Sequence, residues 1–343
     1  MEIGNQIKAL RIRRGVTQET LAQALGVTPQ AVSKWERNAA TPDIELLPAI
    51  SAYFGVTIDA LFAISDDTRM ERIQNMLWDV RFLDPAIVEN ERQFLLDKAK
   101  REPENGEPHR LLADMENHLA REHHTRAEEF AKEALRRNPN TRNAHGELME
   151  SQNGFVNDWC YHNHSRLIEY YKAFVTEHPD NKNGYLHLLF QLLDDYRLTE
   201  AREYLAKYEQ LDHSYRVMLF RGMIHWYSGD RDSAFAQWEE MERTFPEEWC
   251  VWQNIGDFLV RSQRLEEALI YYRRALDIQP APRMCDPIES IAQVHELMGN
   301  IPAAIAAWQE ELILFETEYH FSEGESAEIV RREIARLEAK LKK

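Results

Sequence analysis

Three polar side chains, Gln30, Ser33 and Lys34, share one face of a short helix predicted near the N-terminal end of the chain. Val32 and Trp35 fall on the opposite face, because residues three or four apart lie together on a helix. A helix with an apolar back and a short polar front can enter the major groove of DNA, where it meets the edges of the bases. These residue types and spacings therefore indicate a DNA-reading helix.

The residues before this helix predict a second helix and a tight turn that hold it in place. Ala22 is small enough for a neighbouring helix to approach it. Gly26 permits a backbone reversal that a side chain would hinder. Thr28 is a favourable N-cap and Pro29 suits the first helical position, so a new helix begins there. The segment from Gln18 to Arg37 therefore predicts a helix-turn-helix.

The surrounding pattern predicts five short helices that form a self-sufficient domain over residues 1–64. The first helix is expected to end near Arg14, Thr17 to cap the second, and the third to end near Arg37. The fifth is expected to run from Ile58 to Phe62. The residues expected to face the core from the first and fourth helices are Ile3, Ile7, Leu10, Ile44, Leu47, Ile50 and Phe54.

The distribution of charge separates this domain from the rest of the chain. The 343 residues carry a net charge of −17, which disfavours contact with nucleic acid. Residues 1–42 nevertheless hold six basic against three acidic residues, whereas residues 68–343 hold 35 basic and 50 acidic residues. We therefore expect DNA contacts to come from the N-terminal domain, although plain solvated surface would carry similar charges.

Helical repeats fill the remainder of the sequence. The clearest unit, from Trp252 to Pro280, has residues at the anchor spacings of a tetratricopeptide repeat. Gly256 and Ala268 are small where its two helices are expected to cross. Ala234 lies 34 residues before Ala268, and Ala304 lies 36 residues after it, so the neighbouring units are in register. Weaker units are centred on Ala201, Leu167 and Ala127.

These observations predict an all-α protein, with a helix-turn-helix domain followed by a tetratricopeptide-like α-solenoid. Residues 65–104 are expected to form a linker with a degenerate helix pair, residues 105–320 the repeats, and residues 321–343 a capping helix. The residues expected on the buried side of the capping helix are Ile329, Ile334, Leu337 and Leu341.

The inner surface of a solenoid is lined by the first helix of each pair, and ligands bind there. A mixture of aromatic and hydrogen-bonding side chains suits an extended peptide, whose backbone needs polar partners and whose side chains need apolar pockets. The alternative is a solvated inner surface without a ligand. The residues that the repeat spacing places there are Asn183, Phe190, Arg216, Trp226, Tyr227, Gln253, Asp257, Arg261 and Gln293.

Other chemistry has little support in the sequence. Cys160, His162 and His164 could ligate zinc in an extended segment, but no second ligand pair lies at a zinc-finger spacing, so we predict an irregular loop without a metal. His123 and His124 are predicted to lie in a solvated turn between helices. The sequence contains no phosphate-binding loop and no catalytic motif, so we expect neither an enzyme nor a cofactor.

The three cysteines of the sequence lie far apart, so we expect them to be reduced core residues. The sequence has no apolar run near the length of about 18 residues that spans a membrane, and no basic-then-apolar leader. We therefore expect a soluble, cytoplasmic bacterial protein with no membrane partner.

Residues 3–62 resemble the phage-repressor, or Cro/Xre-type, helix-turn-helix family. The matching signature is Q-x-x-x-A-x-x-x-G, then V-S-x-W-E, followed by T-P-D and F-G-V-x-x-D-x-L-F. The resemblance implies a five-helix domain that binds double-stranded DNA, and such domains usually act as dimers on paired half-sites. Residues 1–64 show no obvious dimer interface, so we expect the C-terminal body to supply it. The alternative is a helical domain used only for contact with protein.

The same resemblance implies roles for individual residues. Gln18 would contact a phosphate and fix the orientation of the domain. Gln30 would face the groove floor, where glutamine can bond bidentately to adenine. Ser33 and Lys34 would reach a base or a phosphate one turn further on. The residues expected at the DNA, the last two of them near its backbone, are Gln18, Thr28, Gln30, Ser33, Lys34, Arg37 and Asn38.

The order of the domains, a phage-repressor head followed by tetratricopeptide repeats, resembles the RRNPP group of Gram-positive peptide-sensing regulators. This resemblance implies a transcription factor whose solenoid dimerises and binds a short signalling peptide. We therefore predict a sequence-specific, homodimeric DNA-binding transcriptional regulator that senses a peptide or protein ligand. The alternative is a DNA-tethered scaffold whose repeats recruit a protein partner without sensing a small ligand.

Overall fold

The computed structural model of the chain describes residues 3–62, 65–154 and 163–342. All regular secondary structure within these ranges is helical, which confirms the predicted all-α fold class. The chain divides into two compact units, the first ending at His123 and the second beginning at His124. No helix in the described ranges is long and apolar enough to cross a membrane.

The head, residues 3–62, consists of five short helices around a small apolar core. They are α1 (Ile3–Arg14), α2 (Gln18–Leu25), α3 (Pro29–Glu36), α4 (Leu47–Phe54) and α5 (Ile58–Leu61). The hydroxyl groups of Thr17 and Thr28 cap α2 and α3, each accepting a backbone N–H at 3.2 Å. Gly26 ends α2 in the left-handed conformation, with φ +68°. Local sequence therefore sets the helix-turn-helix, as predicted.

One residue expected in the core of the head lies outside it. Ile44 is 78% exposed, so its predicted place on the buried face of the fourth helix is wrong. Asp43 caps a single 3₁₀ turn, Ile44–Leu46, and α4 begins only at Leu47. A 3₁₀ turn has about 3.0 residues per turn against about 3.6 in an α-helix, which changes the phase of the side chains. Leu47 and Ile50 point inward, and Ile44 does not.

Three longer helices follow the head: α6 (Asp66–Asp79), α7 (Pro85–Arg101) and α8 (Glu107–Arg137). They build a second apolar core around the fully buried side chains of Leu95, Leu111 and Met115. The predicted turn at His123 and His124 is wrong, because both residues lie inside the continuous helix α8. The sequence between residues 109 and 137 contains neither glycine nor proline, so nothing breaks the helix there.

Eleven further helices are described, of which α11 to α18 pair as four hairpins. They are α9 (Ala144–Ser151), α10 (Ser165–Glu177), α11 (Lys182–Asp194), α12 (Leu198–Tyr208), α13 (Tyr215–Tyr227), α14 (Arg231–Thr244), α15 (Trp249–Arg261), α16 (Leu265–Asp277), α17 (Asp286–Leu297), α18 (Ile301–Leu314) and α19 (Glu325–Leu341). A π-helical turn, Phe315–Tyr319, follows α18. Helix pairs from α11 to α18 share one continuous apolar core, as stacked repeats require.

Close packing of the hairpins depends on glycine. A Cβ atom on Gly222 would lie 2.0 Å from Nε1 of Trp238, and one on Gly256 would lie 2.6 Å from the Tyr272 ring. Trp238 is fully buried and donates to the Leu219 carbonyl at 3.3 Å. Gly256, one of the small residues expected where the helices cross, is therefore needed because an aromatic ring of the second helix presses on it, and Gly222 is needed for the same reason.

The last helix, α19, buries a different stripe from the one predicted. Ile329 and Leu341 are 49% and 55% exposed, so their predicted burial is wrong, whereas Leu337 is fully buried. Ala327 and Val330 complete the buried side. Since each residue advances about 100° around a helix, Ile329 is turned well away from Val330 and toward solvent.

The substitution Gly222→Ala should destabilise the repeat hairpins by about 1–3 kcal/mol, because the new methyl group would force Trp238 out of place. Gly146→Ala is the matched control, since Gly146 lies in α9 with nothing within 4 Å of the added Cβ. That change should stabilise α9 by about 0.5–1 kcal/mol. Urea unfolding curves of the two variants should therefore shift in opposite directions. An unchanged midpoint for Gly222→Ala would show that the hairpin repacks freely.

Candidate DNA interface and ligand face

A buried ion pair holds the candidate DNA-reading helix α3 against α1. The Arg11 guanidinium donates to Glu36 through Nε at 2.5 Å and through Nη2 at 2.9 Å. The two side chains are only 14% and 2% exposed. Gln18 adds a third hydrogen bond, from Nε2 to Glu36 Oε2 at 2.8 Å. All three helices of the helix-turn-helix region therefore meet at one carboxylate.

The electrostatics of this carboxylate favour its charged form. Burial by itself would raise the pKa of Glu36, but the hydrogen bonds from Arg11 and Gln18 and the charge of Arg11 hold the pKa below its ordinary value. Sequence reasoning missed this pair. The available signal was that Glu36 lies four residues after Val32, on the buried face of α3, where a charge needs a partner.

The opposite face of α3 carries polar groups that are open to solvent. Gln30 and Lys34 are exposed, and neither side chain has a hydrogen-bond partner among the described residues. Ser33 is half-buried on the same face. Thr28 is exposed, although its hydroxyl is used to cap the helix by accepting from Ala31. Trp35 is buried, as predicted for a core residue. The helix thus presents donors and acceptors outward.

Three residues at the two ends of this region have side-chain N–H groups that form no hydrogen bond with the described residues. Gln18 uses one amide N–H on Glu36, which leaves the second N–H for another acceptor. Arg37 is exposed and donates only Nε, to the Ser33 carbonyl at 3.2 Å. Asn38 adopts φ +55° and donates to Asn5 Oδ1 at 3.1 Å. Free N–H groups of this kind are what phosphate oxygens accept.

The repeat body presents a second polar surface, the first-helix face, formed by the exposed side chains of α11, α13, α15 and α17. Among these helices, α11 contacts α13 and α15 contacts α17. Of the nine residues predicted on this surface, Trp226 alone is buried, packing at 5.0 Å on the Phe258 ring within the core. The predicted residues that are exposed or half-buried are Asn183, Phe190, Arg216, Tyr227, Gln253, Asp257, Arg261 and Gln293.

Hydrogen bonds connect the middle of this face across helices. Gln253 donates from Nε2 to the Ser290 hydroxyl at 3.0 Å, and the Tyr272 hydroxyl donates to Asp257 Oδ1 at 2.8 Å. Burial raises the pKa of Asp257 despite the bond from Tyr272. The Oε1 atom of Gln253 is buried and has no partner among the described residues. The face therefore contains an acceptor that the described residues leave unused.

Two acidic residues of this face were missed by sequence reasoning. A step of 36 residues, the spacing from Ala268 to Ala304, carries Gln253 onto Glu289. The repeat register alone could therefore have placed Glu289, and with it Asp286 one turn earlier, on the first-helix face. The same step carries Ala275 of α16 onto Glu311 of α18, so a carboxylate stands where the previous repeat has a methyl group.

The surroundings of Cys250, Cys285 and His164 suit structural roles. Burial raises the pKa of Cys250, and it raises the pKa of Cys285 to about 12, so neither thiol is ionised at neutral pH. His164 contacts Asp195 Oδ1 through Nδ1 at 2.8 Å. Cys160 and His162, the other two residues of the possible zinc motif, lie outside the described residues. Within the described ranges no group of three or more such ligands could hold a metal ion.

Comparison with known proteins agrees with both parts of this architecture. The helix-turn-helix family matches residues 7–61, and the tetratricopeptide repeat family matches residues 221–281. The helix-turn-helix-type transcriptional regulator MJ0272 of Methanocaldococcus jannaschii is 36% identical over 63 residues, which cover 96% of that protein and 18% of this chain. The chain belongs to the helix-turn-helix transcriptional regulators. The predicted helix-turn-helix family is thus confirmed, and so is the presence of tetratricopeptide repeats after it, which the family match places at residues 221–281.

The regulator is also similar to the transcriptional activator BcrR of Enterococcus faecalis, with 43% identity over 63 residues. That match covers 18% of the regulator and 31% of BcrR, so it spans about a third of the length of this relative. Among solved structures, PlcR of Bacillus thuringiensis in complex with the peptide PapR7 and DNA is 15% identical, with a TM-score of 0.28. This alignment covers 92% of the regulator and 94% of the PlcR chain.

Replacing Glu36 by glutamine should destabilise the head by about 3 kcal/mol, because Arg11 would remain buried without its counter-charge. The lowered pKa of Glu36 means that its contribution is fully present above the unfolded-state value of about 4.3 and is lost as the pH falls through the lower folded-state value. The difference between wild type and variant should therefore narrow below about pH 4.

This prediction can be checked in the full chain by deuterium exchange of head peptides along a urea series. Glu45→Gln is the matched control, because Glu45 is exposed beside the 3₁₀ turn. Equal urea midpoints for Glu36→Gln and Glu45→Gln at pH 7 would show that the buried pair does not hold the head together.

Proposed function

We propose that the regulator binds double-stranded DNA as a homodimer through α3, and that its repeat body senses a peptide on the first-helix face. The observation that supports DNA binding is the polar front of α3, whose Gln30 and Lys34 side chains are unpaired among the described residues. The back of the same helix is held in place by the Arg11–Glu36 ion pair. A rigid helix with free Gln30 and Lys34 side chains meets what base recognition requires.

Individual residues divide between positioning and reading in this proposal. Gln30 hydrogen-bonds to a base edge, and Thr28, Ser33 and Lys34 line the same groove. Gln18, Arg37 and Asn38 hold the phosphate backbone on either side. The acidic body avoids DNA, so the excess of basic residues in the head directs the encounter.

The homodimer is needed because a single small domain buries little DNA surface, about 600–1,000 Å². Two heads on half-sites about 34–36 Å apart double the contact and read an inverted repeat. We place the dimer contact on the last helices of the body, where several large apolar side chains are exposed. These side chains are Leu297, Ile313, Ile329 and Leu341.

The peptide half of the proposal rests on the composition of the first-helix face. Half-buried Phe190 and Tyr227 offer apolar contact, while Arg216, Arg261 and Gln253 offer hydrogen bonds to an extended backbone. A peptide regulates DNA binding only if it has a higher affinity for one arrangement of the dimer than for another. We propose that this happens in the cytoplasm, where the regulator meets the DNA.

Selection of binding sites from random duplex DNA with the full chain tests the DNA half. Gln30→Ala should lose preference at one base position, by about 1–3 kcal/mol, while phosphate contacts persist. Gln23→Ala on α2 is the control for this amide, since Gln23 is exposed on the preceding helix.

Arg37→Ala should instead weaken all selected sites alike and reduce the salt dependence of binding by about one phosphate contact. Arg166→Ala removes an equal charge from an exposed site in the body and should change neither property. Failure to enrich any sequence at low salt would overturn the DNA half, and a normal base preference in Gln30→Ala would overturn the assigned reading face.

A further inference from the structure

Three carboxylates lie near one another at one end of the first-helix face without a basic partner. Asp286 and Glu289 stand in the first turn of α17, and Glu311 approaches them from α18. No lysine or arginine of the described residues forms an ion pair with any of the three. Arg283, close by in sequence, is engaged by Glu318 through Nε at 2.8 Å and through its backbone N–H at 2.7 Å.

Acidic residues in a first helical turn can be explained by the helix dipole, which accounts for Asp286 and Glu289. It does not account for Glu311, which lies in the last turn of α18 and is only 2% exposed. The Oε2 atom of Glu311 has no hydrogen-bond partner among the described residues. The Cys285 thiol forms a hydrogen bond with the Glu311 carboxyl group, but Oε2 is left without a donor, and burial of an unsatisfied acceptor is costly.

The electrostatics place Glu311 against the same cluster. Burial raises the pKa of Glu311 to about 8, and the charges of Glu289 and Asp286 add to this effect. Burial and the charge of Asp286 also raise the pKa of Glu289. On the neighbouring helix α15, Asp257 is subject to the charge of Asp286 as well. The charge of Asp286 therefore acts on carboxyl groups of three helices, and among them only Asp257 is also subject to a positive charge, that of Arg261.

A second unused acceptor adjoins this cluster. Gln253 binds Ser290 of α17 through its amide nitrogen, while its Oε1 is buried without a donor. The unused acceptors of Gln253 and Glu311 thus adjoin Asp286 and Glu289, two carboxylates of α17 that form no ion pair with the described residues. The complementary group carries several N–H donors and a positive charge, which describes an ammonium or a guanidinium.

We propose that the acidic corner, formed by Gln253, Asp286, Glu289 and Glu311, binds a cationic group of the peptide ligand. This inference rests on the proposed peptide-sensing function and specifies which chemistry the peptide must carry. The cationic group is either the N-terminal ammonium or a lysine or arginine side chain. Arg216 and Arg261 lie on α13 and α15, whereas Asp286 and Glu289 lie on α17, so a bound peptide meets the two kinds of charge on different helices and takes a fixed direction.

The test uses pools of random heptapeptides and the full chain at about 0.15 M salt, where nonspecific attraction is screened. One pool contains lysine and arginine, and the other has glutamine and citrulline in their places. Each pool is made with a free and with an acetylated N-terminus. Affinity selection followed by mass spectrometry should retain cationic peptides about tenfold more than fully neutral ones. If cationic peptides are still enriched after acetylation, the bound group is a lysine or arginine side chain. If acetylation removes the enrichment, the bound group is the N-terminal ammonium.

The double variant Asp286→Asn, Glu289→Gln should lose this enrichment while still retaining neutral peptides, which also shows that the body remains folded. The matched control is Asp277→Asn, Glu266→Gln, which removes the same charges from exposed positions on α16. Equal retention of cationic and neutral peptides, or equal loss in both double variants, would overturn the acidic corner but not peptide binding. If the wild type retains no peptide from any pool, the proposed peptide sensing fails and this inference fails with it.

Discussion

The orientation of the DNA-reading helix depends on one buried charge. Glu36 closes the apolar back of α3, and it is stable there only because Arg11 of α1 and Gln18 of α2 both donate to it. The polar front of α3 can be left free for DNA because the back is fixed in this way. Glu36 is therefore costly to bury, and the same residue fixes the helix that is proposed to read DNA.

The repeat body uses a different principle, in which contact between hairpins requires the absence of a side chain. Gly222 and Gly256 let an aromatic ring of the second helix lie directly on the backbone of the first. In the hairpins from α11 to α16 the first helix contributes more buried residues than the second, eight on α13 against three on α14, and the remaining polar residues of the first helices stay on the surface. The position that breaks the apolar pattern is Glu311, which lies where the previous repeat has Ala275.

Features that depend on neighbours in sequence could be predicted, and features that depend on distant partners could not. The caps at Thr17 and Thr28 and the left-handed Gly26 follow from local chemistry, and the structure has them as expected. The outward turn of Ile44 was missed because a 3₁₀ turn changes the helical phase by an amount that hydrophobic spacing does not reveal. The partnership of Arg11 and Glu36 was missed because 25 residues separate them.

We propose that two copies of the chain place two α3 helices on one DNA site. Mass photometry of the full chain on a selected duplex, combined with hydroxyl-radical footprinting, tests this most directly. We expect two chains per duplex and two protected segments whose centres lie about 34–36 Å apart, or a multiple of one helical turn. A saturated complex with one chain per duplex and a single protected segment would contradict it.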